Sequence, residues 1–327
     1  MTNPRSRLNR RDPGSMRRLA YLIGSRGAVE ATASLDDLYR VAEEFRRAEI
    51  DILGINGGDG TLHHTLTAFL RTYGEQPLPP IALLRGGTMN TVANSLGIRG
   101  RPARLLFELV DRYHNGADFE YLENPILAIG DAYGFIFGNG LIYNFLDAYY
   151  KTGKPSPSMA ARLVTRTVAS AMVGGALAKR LTRRFLARVT VDGDRWARED
   201  FLTVAASSVE QIGLGFKPFY RVHEGRKHEG GERFPVVGIH APSAIDLVAE
   251  LPRIFRGQPI RRDKVIDVLA REAIFEADEI DYIIDGDPYQ ARGSLRVGIG
   301  PRLRIVRLSG RVADERPLPS LPAMGSG

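Results

Sequence analysis

The chain has 327 residues, of which 43% are hydrophobic and 25% charged, and a formal net charge of +7. That is long enough for two domains with separate cores, and the composition is that of a globular protein. Several classes are excluded. No apolar run reaches the ~20 residues that span a bilayer. The absence of cysteine rules out disulfides and thiolate metal sites. No zinc-finger spacing or aromatic–basic pattern accompanies the positive charge, so its partner reads as an anionic membrane rather than nucleic acid.

Residues 1–16 are arginine-rich (Arg5, Arg7, Arg10, Arg11) and read as a disordered basic arm, with Met16 an alternative start. The apolar stretch Leu19–Ile23 is too short for the core of a signal peptide. Arg18–Ile23 reads as a first strand and Gly24–Gly27 as the turn after it. Leu35–Ala48 carries an apolar stripe at helical spacing, with Ser34 placed to cap it. Ile50–Ile55 then reads as a short buried strand. It runs into Asn56–Gly57–Gly58–Asp59–Gly60–Thr61, and Leu62, Leu66, Phe69 and Leu70 continue as a helix. Glycines at a strand-to-helix turn let the backbone approach a ligand and leave the first helical N–H groups pointing at an anion. Asp59 adds a carboxylate, which phosphoryl transfer uses to orient a hydroxyl or to hold magnesium.

The arrangement repeats. Pro79–Leu84 reads as a strand, Arg85–Gly86–Gly87–Thr88–Met89–Asn90 as a second glycine turn, and Val92–Leu96 as a short helix stopped by Gly97. Two such units in tandem place two helix N-termini at one edge of a parallel sheet, where open α/β folds bind ligands. Ala103–Asn115 is a further helix. After it the pattern becomes a run of short strands, from Pro125–Ile129 to Arg302–Leu308, which reads as an antiparallel sandwich. Helical residues 158–186 interrupt it. Counted as one helix, they place Arg162, Arg166, Arg180 and Arg184 on one stripe, a membrane-facing segment or a solvated face. Gly174–Gly175 is expected to bend or break this helix. Asp-Gly-Asp occurs at Asp192–Asp194 and again at Asp285–Asp287, and a hairpin turn explains either.

Gly-Gly-Asp-Gly-Thr followed by Gly-Thr-x-Asn resembles the catalytic domain of the diacylglycerol kinase / sphingosine kinase / ceramide kinase superfamily, in particular its soluble bacterial members. The resemblance runs from about Leu19 to Leu308, through Phe137–Gly140 and Ile284–Pro288. It implies an α/β plus all-β chain: an N-terminal NAD-kinase-like α/β nucleotide-binding domain (residues 17–119, with a return at about 303–312) and an antiparallel β-sandwich lipid-binding domain (120–302). Residues 313–327 would be a loose tail. It implies a cytoplasmic lipid kinase, peripheral at the inner face of the membrane, using ATP and Mg2+ and a neutral lipid acceptor, with an oligomer open. Ser25, Gly57, Gly58, Asp59, Gly60, Thr61, Gly86, Gly87, Thr88 and Asn90 would hold the nucleotide. Asp285 and Asp59 would be the catalytic acids, with Asp285 favoured as base, and Asp287 would contribute a metal contact.

The chain departs from the family in several places. The family's Asn-Pro-x-Ser-Gly turn is reduced here to Ser25–Gly27. Only about thirty residues separate Gly27 from Gly57, so one β–α unit is expected to be shortened or missing. Thr91 stands where the family often has Asp, His64 where it often has Glu, and Asp287 where it has Glu. NAD kinase shares the first glycine motif but lacks the second as it stands here. A non-catalytic nucleotide- or lipid-binding protein is the rival that the lost acids motivate. His223–Glu224 and His228–Glu229 lack the spacing of a metal site.

Overall fold

The computed structural model describes residues 1–6, 9, 14–153 and 156–309. In chain order its first elements are α1 (Ser15–Ile23), α2 (Leu35–Arg47), β1 (Leu53–Ile55), α3 (Asp59–Tyr73), β2 (Ile81–Leu83), α4 (Thr91–Ser95), α5 (Pro102–His114), β3 (Tyr121–Ile129), β4 (Ala132–Gly134) and β5 (Ile136–Asn139). Then come α6 (Leu141–Tyr150), α7 (Pro157–Met172), α8 (Ala176–Leu181), β6 (Phe185–Leu186), β7 (Arg188–Val191), β8 (Asp194–Arg195), β9 (Asp200–Phe201) and β10 (Thr203–Ser207). The last are α9 (Val222–Arg226), β11 (Phe234–Ile239), α10 (Ala244–Phe255), β12 (Val265–Ala270), β13 (Glu272–Ile284) and β14 (Asp287–Val306). Two compact units result: Met1–Asn124 with the chain from Leu303 onward, and Pro125–Arg302.

The first unit is α/β. β1 and β2 pair in parallel, Leu53 against Ile81 and Ile55 against Leu83, and Ile305 of β14 pairs in parallel with Ile81. β2 is buried throughout, which is why it reads as an unbroken apolar run. On the other side Thr2 bridges in parallel to both Asn56 and Ala31. Helix α2 opens with the expected cap. The Ser34 hydroxyl accepts from Asp37 N–H, and the Asp37 carboxylate accepts from Ser34 N–H.

Two expectations fail in this unit. Arg18–Ile23 is not a strand but the end of α1, and Leu19 is buried while Tyr21 is half exposed. Leu19, Leu22 and Ile23 fit a helical stripe as well as a strand, an ambiguity inherent in short apolar runs. The described part of the basic arm is ordered: Thr2 N–H donates to Glu30 O (2.8 Å) and Asn3 N–H to Asn56 O (3.1 Å). Arg7, Arg10 and Arg11, and the tail at 313–327, lie outside the described residues. The β–α unit expected to be shortened or missing is shortened: Thr2 and Ala31 each hold a sheet position only as an isolated bridge, with α1 between them in the chain.

The second unit is antiparallel and strand-rich. β5, β10, β11 and β12 follow one another, and β13 pairs with β5, β7 and β14. β13 is one long strand with an irregularity between Ala277 and Ile280. Phe137, Phe201, Phe234 and Phe275 share one core with Trp196. The expected fold class, α/β followed by an antiparallel β-rich region, is observed. Among the described residues no helix is long and apolar enough to cross a membrane.

The helical region is broken where expected, and that undoes the arginine stripe. α7 ends at Met172 and α8 begins at Ala176, so Arg162 and Arg166 lie on one helix and Arg180 on another. The stripe assumed one continuous axis. Arg184 falls after α8, where its guanidinium pairs with Asp200 (2.9 Å) and donates to Ala241 O (3.0 Å). A side chain held in this way does not face a membrane.

Candidate active site

The two glycine turns lie backbone against backbone. A Cβ on Gly87 would stand 2.2 Å from Gly58 Cα, and one on Gly86 would stand 2.4 Å from Asn56 Oδ1. A Cβ on Gly57 would meet the Thr61 side chain at 2.3 Å. These three positions therefore exclude every side chain. β1 and β2 set the distance, since they are adjacent parallel strands whose C-terminal ends deliver both turns to one edge.

The second turn is held open by two residues in the left-handed region, Arg85 (φ 59°) and Asn90 (φ 48°). Asn90 clasps its own turn: Oδ1 accepts from Gly87 N–H (3.1 Å) and Nδ2 donates to Gly87 O (3.1 Å). The Arg85 guanidinium donates to Asn94 Oδ1 (2.8 Å) and to Ile98 O, and burial pulls its pKa down. Strained residues fixed by side-chain bonds are what a preorganised ligand loop requires. Thr88, between these clasped residues, is partly buried.

Asp59 joins the turns. Its Oδ2 accepts from Thr91 N–H (2.9 Å) and its Oδ1 from Val92 N–H (3.0 Å). Burial raises its pKa, and these two N–H groups hold it back. The carboxylate thus occupies the N-terminus of α4, which the sequence offers to a phosphate. The N-terminus of α3 differs: Gly58 caps it in extended conformation with no side-chain bond, which leaves Gly60 and Thr61 in an open first turn. One helix end of the two is available to an anion. Asp59→Ala is expected to lower stability by about 1–3 kcal/mol, the cost of stranding buried donors. Chemical denaturation reads this directly.

Two residues missed in the sequence belong here. Asn3 Nδ2 donates to Thr61 Oγ1 (2.9 Å), and Ser6 Oγ donates to Gly86 O (3.1 Å). They tie the N-terminal segment to both turns. Asn3–Pro4–Arg5–Ser6 has the Asn-Pro-x-Ser pattern that Ser25–Gly27 lacks, and the surrounding arginines mask it in the sequence. Ser25 is instead exposed on the 3-10 turn Gly24–Arg26. Asn3→Ala is expected to lower stability by about 0.5–1.5 kcal/mol, the net contribution of one hydrogen bond. The midpoint in denaturant checks it.

In the second unit both Asp-Gly-Asp sequences are hairpin turns of the same build. Asp285 (φ 49°) and Gly286 (φ 97°) link β13 to β14, as Asp192 (φ 49°) and Gly193 (φ 91°) link β7 to β8. Each first aspartate clasps a neighbouring strand. Asp285 Oδ1 and Oδ2 accept from Phe135 N–H (3.1 and 3.0 Å), and Oδ1 also accepts from Ile136 N–H (2.8 Å). Asp192 Oδ1 accepts from Arg271 and Glu272 N–H, both at 2.9 Å. Asp285 is buried and Asp287 is not.

Among the described residues no group of three or more His, Asp or Glu side chains could hold a metal unaided. Mg2+ brought by a nucleotide takes phosphate oxygens and waters and needs only one or two carboxylates. Asp287, partly exposed in its turn, fits that limited demand. His63 is fully buried on α3 against the His64 ring (centroids 4.6 Å apart), a packing role.

The model of the diacylglycerol kinase catalytic domain matches residues 1–119. No curated protein matches the sequence. Among solved structures, a diacylglycerol kinase from Bacillus anthracis str. Sterne aligns over 93% of this chain and 94% of its own, with a TM-score of 0.60 and 13% identity. Two further structures from that organism, assigned to the same enzyme class, cover the same shares with TM-scores of 0.65 and 0.63 at 15% identity. The domain match and the shared fold bear out the resemblance read from the sequence: the chain is similar to the diacylglycerol kinase superfamily, and residues 1–119 carry the likeness to its catalytic domain.

Proposed function

We propose that this protein is a lipid kinase that transfers the γ-phosphate of ATP to a primary hydroxyl of a neutral lipid such as diacylglycerol, ceramide or a sphingoid base. The observation that carries the reading is the pair of abutting glycine turns, with no room for a Cβ at Gly57, Gly86 or Gly87. Such a floor brings backbone N–H groups to a polyphosphate and excludes side chains from it. Gly57, Gly58, Gly60, Thr61, Gly86, Gly87, Thr88 and Asn90 hold the nucleotide. Asp59 holds the second turn against the first, and Asn3 and Ser6 brace both.

In the reaction the lipid hydroxyl oxygen bonds to the γ-phosphorus, the bond to the β–γ bridging oxygen breaks, and ADP leaves. The hydroxyl proton passes to a carboxylate of the Asp285–Gly286–Asp287 turn. The sequence points to Asp285. Its carboxylate is engaged by the Phe135 and Ile136 N–H groups, whereas Asp287 lies outside the buried set, so Asp287 makes the contact and Asp285 supports the turn. A weak base suffices, because phosphoryl transfer depends mainly on positioning and charge stabilisation. Mg2+, when bound with ATP, supplies neutralisation of the phosphate charge, with Asp287 as its protein contact.

The test is transfer of label from γ-labelled ATP, with magnesium, to diacylglycerol, monoacylglycerol, ceramide or sphingosine in mixed micelles, with an NAD reaction alongside. A labelled lipid names the acceptor. Labelled NADP would move the protein to NAD kinase. A second reading, a non-catalytic nucleotide- or lipid-binding protein, is favoured by the engagement of both Asp59 and Asp285 with backbone N–H groups. It predicts nucleotide binding with no label anywhere.

A further inference from the structure

From Ala148 to Val191 the chain contains no Asp or Glu and nine Lys or Arg. Helices α7 and α8 and the turn between them lie in this acid-free stretch. The turn is closed by backbone bonds of a Schellman type: Gly175 N–H donates to Ser170 O (2.7 Å) and Gly174 N–H to Ala171 O (3.2 Å). Gly174 takes φ 63°, as that motif requires. Ala178 N–H donates to Ser170 Oγ (3.0 Å), which fixes α8 to the end of α7. The tip of this rigid turn is apolar and bare. Met172 is 71% exposed and Val173 81%, the most exposed large hydrophobic residues described.

The outer face of α7 is graded along its length. Its exposed residues recur at helical spacing: Arg162, Thr165, Arg166, Ala169, Met172 and then Val173. Cations occupy the first part and apolar groups the end. Arg166 stands about 10 Å from Val173 along the axis, from the rise of an α-helix. Lys179, Arg180 and Arg183 are exposed on the returning arm. Among the described residues none of Arg162, Arg166, Lys179, Arg180 and Arg183 has an acidic partner.

We propose that the α7–α8 tip inserts Met172 and Val173 into the interfacial layer of an anionic bilayer, while Arg166, Lys179 and Arg180 engage lipid phosphates behind them. The spacing fits. Interfacial elements bury their apolar groups about 5–10 Å below the headgroups, which leaves Arg166 at the phosphate level. Charge selects lipid over a protein partner: cations on both arms behind a bare apolar tip complement a surface of one sign. The chemistry of the source is a phosphate-bearing amphiphile packed in a layer, not a free phosphate, because the exposed apolar pair has no use for the latter. This deepens the lipid-kinase reading by naming how the protein reaches its acceptor, but its test does not require turnover.

The experiment is sedimentation of the full chain with vesicles of phosphatidylglycerol and of phosphatidylcholine, for the unaltered protein and for Met172→Asp/Val173→Asp. The expected result is binding to phosphatidylglycerol, loss on the neutral vesicles, and a fall in partitioning on the order of a hundredfold in the double variant. Both positions are exposed, so the variant keeps its melting temperature, which circular dichroism checks. Val173→Trp is the second probe. The chain's single tryptophan, Trp196, is buried, so a blue shift and quenching by brominated lipid report the new indole. Binding that is unchanged in the double variant, no binding by the unaltered protein, or an indole unmoved on bound vesicles would each overturn the proposal. A blue shift that follows protein concentration without vesicles would also overturn it, in favour of contact between copies. Phosphorylation of a dispersed short-chain acceptor separates this from the kinase reading: it persists if only the docking proposal is wrong, and is absent if only the kinase reading is wrong.

Discussion

Gly87→Ala is expected to remove at least about a hundredfold of kcat/KM for lipid phosphorylation while leaving a folded protein. The added Cβ would stand 2.2 Å from Gly58 Cα and 2.9 Å from Gly58 N, both backbone atoms. Neither can rotate away, so one turn must move by an ångström or more. Displacement on that scale costs about two orders of magnitude where reacting groups depend on alignment. The stability cost is that of overpacking, about 1–3 kcal/mol, small enough for the variant to be purified. Gly54→Ala is the control. It lies on β1 beside the first turn, but its Cβ would meet only Leu84 Cδ1 at 3.7 Å, ordinary contact. Near-normal turnover in Gly54→Ala and its loss in Gly87→Ala would locate the effect in the contact between turns. Unchanged turnover in Gly87→Ala would remove the glycine turns from the nucleotide site.

The glycine turns were legible in the sequence because their pattern is local. A strand, a pair of glycines and a helix start follow one another within a few residues, which marks each turn, although the steric need for glycine at 86 and 87 comes from Asn56 and Gly58 of the other turn. The strands of the second unit were legible for the same reason, by alternation and turn residues. What failed depended on distant contacts. Asn3 and Ser6 look like part of a charged arm until Thr61 and Gly86 are placed beside them. Asp59 looks free until α4 is brought to its carboxylate. The arginine stripe fails for another reason: the break at Gly174–Gly175 gives Arg180 a different helix axis from Arg162 and Arg166 and puts Arg184 beyond both helices. In its place, the exposed tip at Met172–Val173 follows from the break itself.

The Asp285 turn offers the sharpest division between holding and reacting. Asp285→Ala removes the acceptor for Phe135 and Ile136 N–H, and Asp285 is itself buried. Stranding two buried donors costs about 1–3 kcal/mol each, and alanine at φ 49° adds about 1–2 kcal/mol of left-handed strain. The variant is therefore expected to be among the least stable single substitutions in the second unit, visible as an early midpoint in denaturant. Asp285→Asn sharpens the comparison. Its amide keeps one oxygen acceptor but turns an NH2 group towards a strand N–H. If Asp285 holds the strand, Asp285→Asn loses stability and its folded fraction still turns over. If Asp285 is also the base, Asp285→Asn loses stability as well and the turnover of its folded fraction collapses. Asp287→Asn is the complement: Asp287 is outside the buried set, so its substitution is expected to move the midpoint less than Asp285→Asn does. A fall in kcat of about a hundredfold or more in Asp287→Asn, in the range for losing a positioned acid–base group, together with a destabilised but active Asp285→Asn, would assign the proton to Asp287. The reverse pattern would return it to Asp285, and would mean that a carboxylate bonded to three N–H contacts still accepts a proton in the transition state.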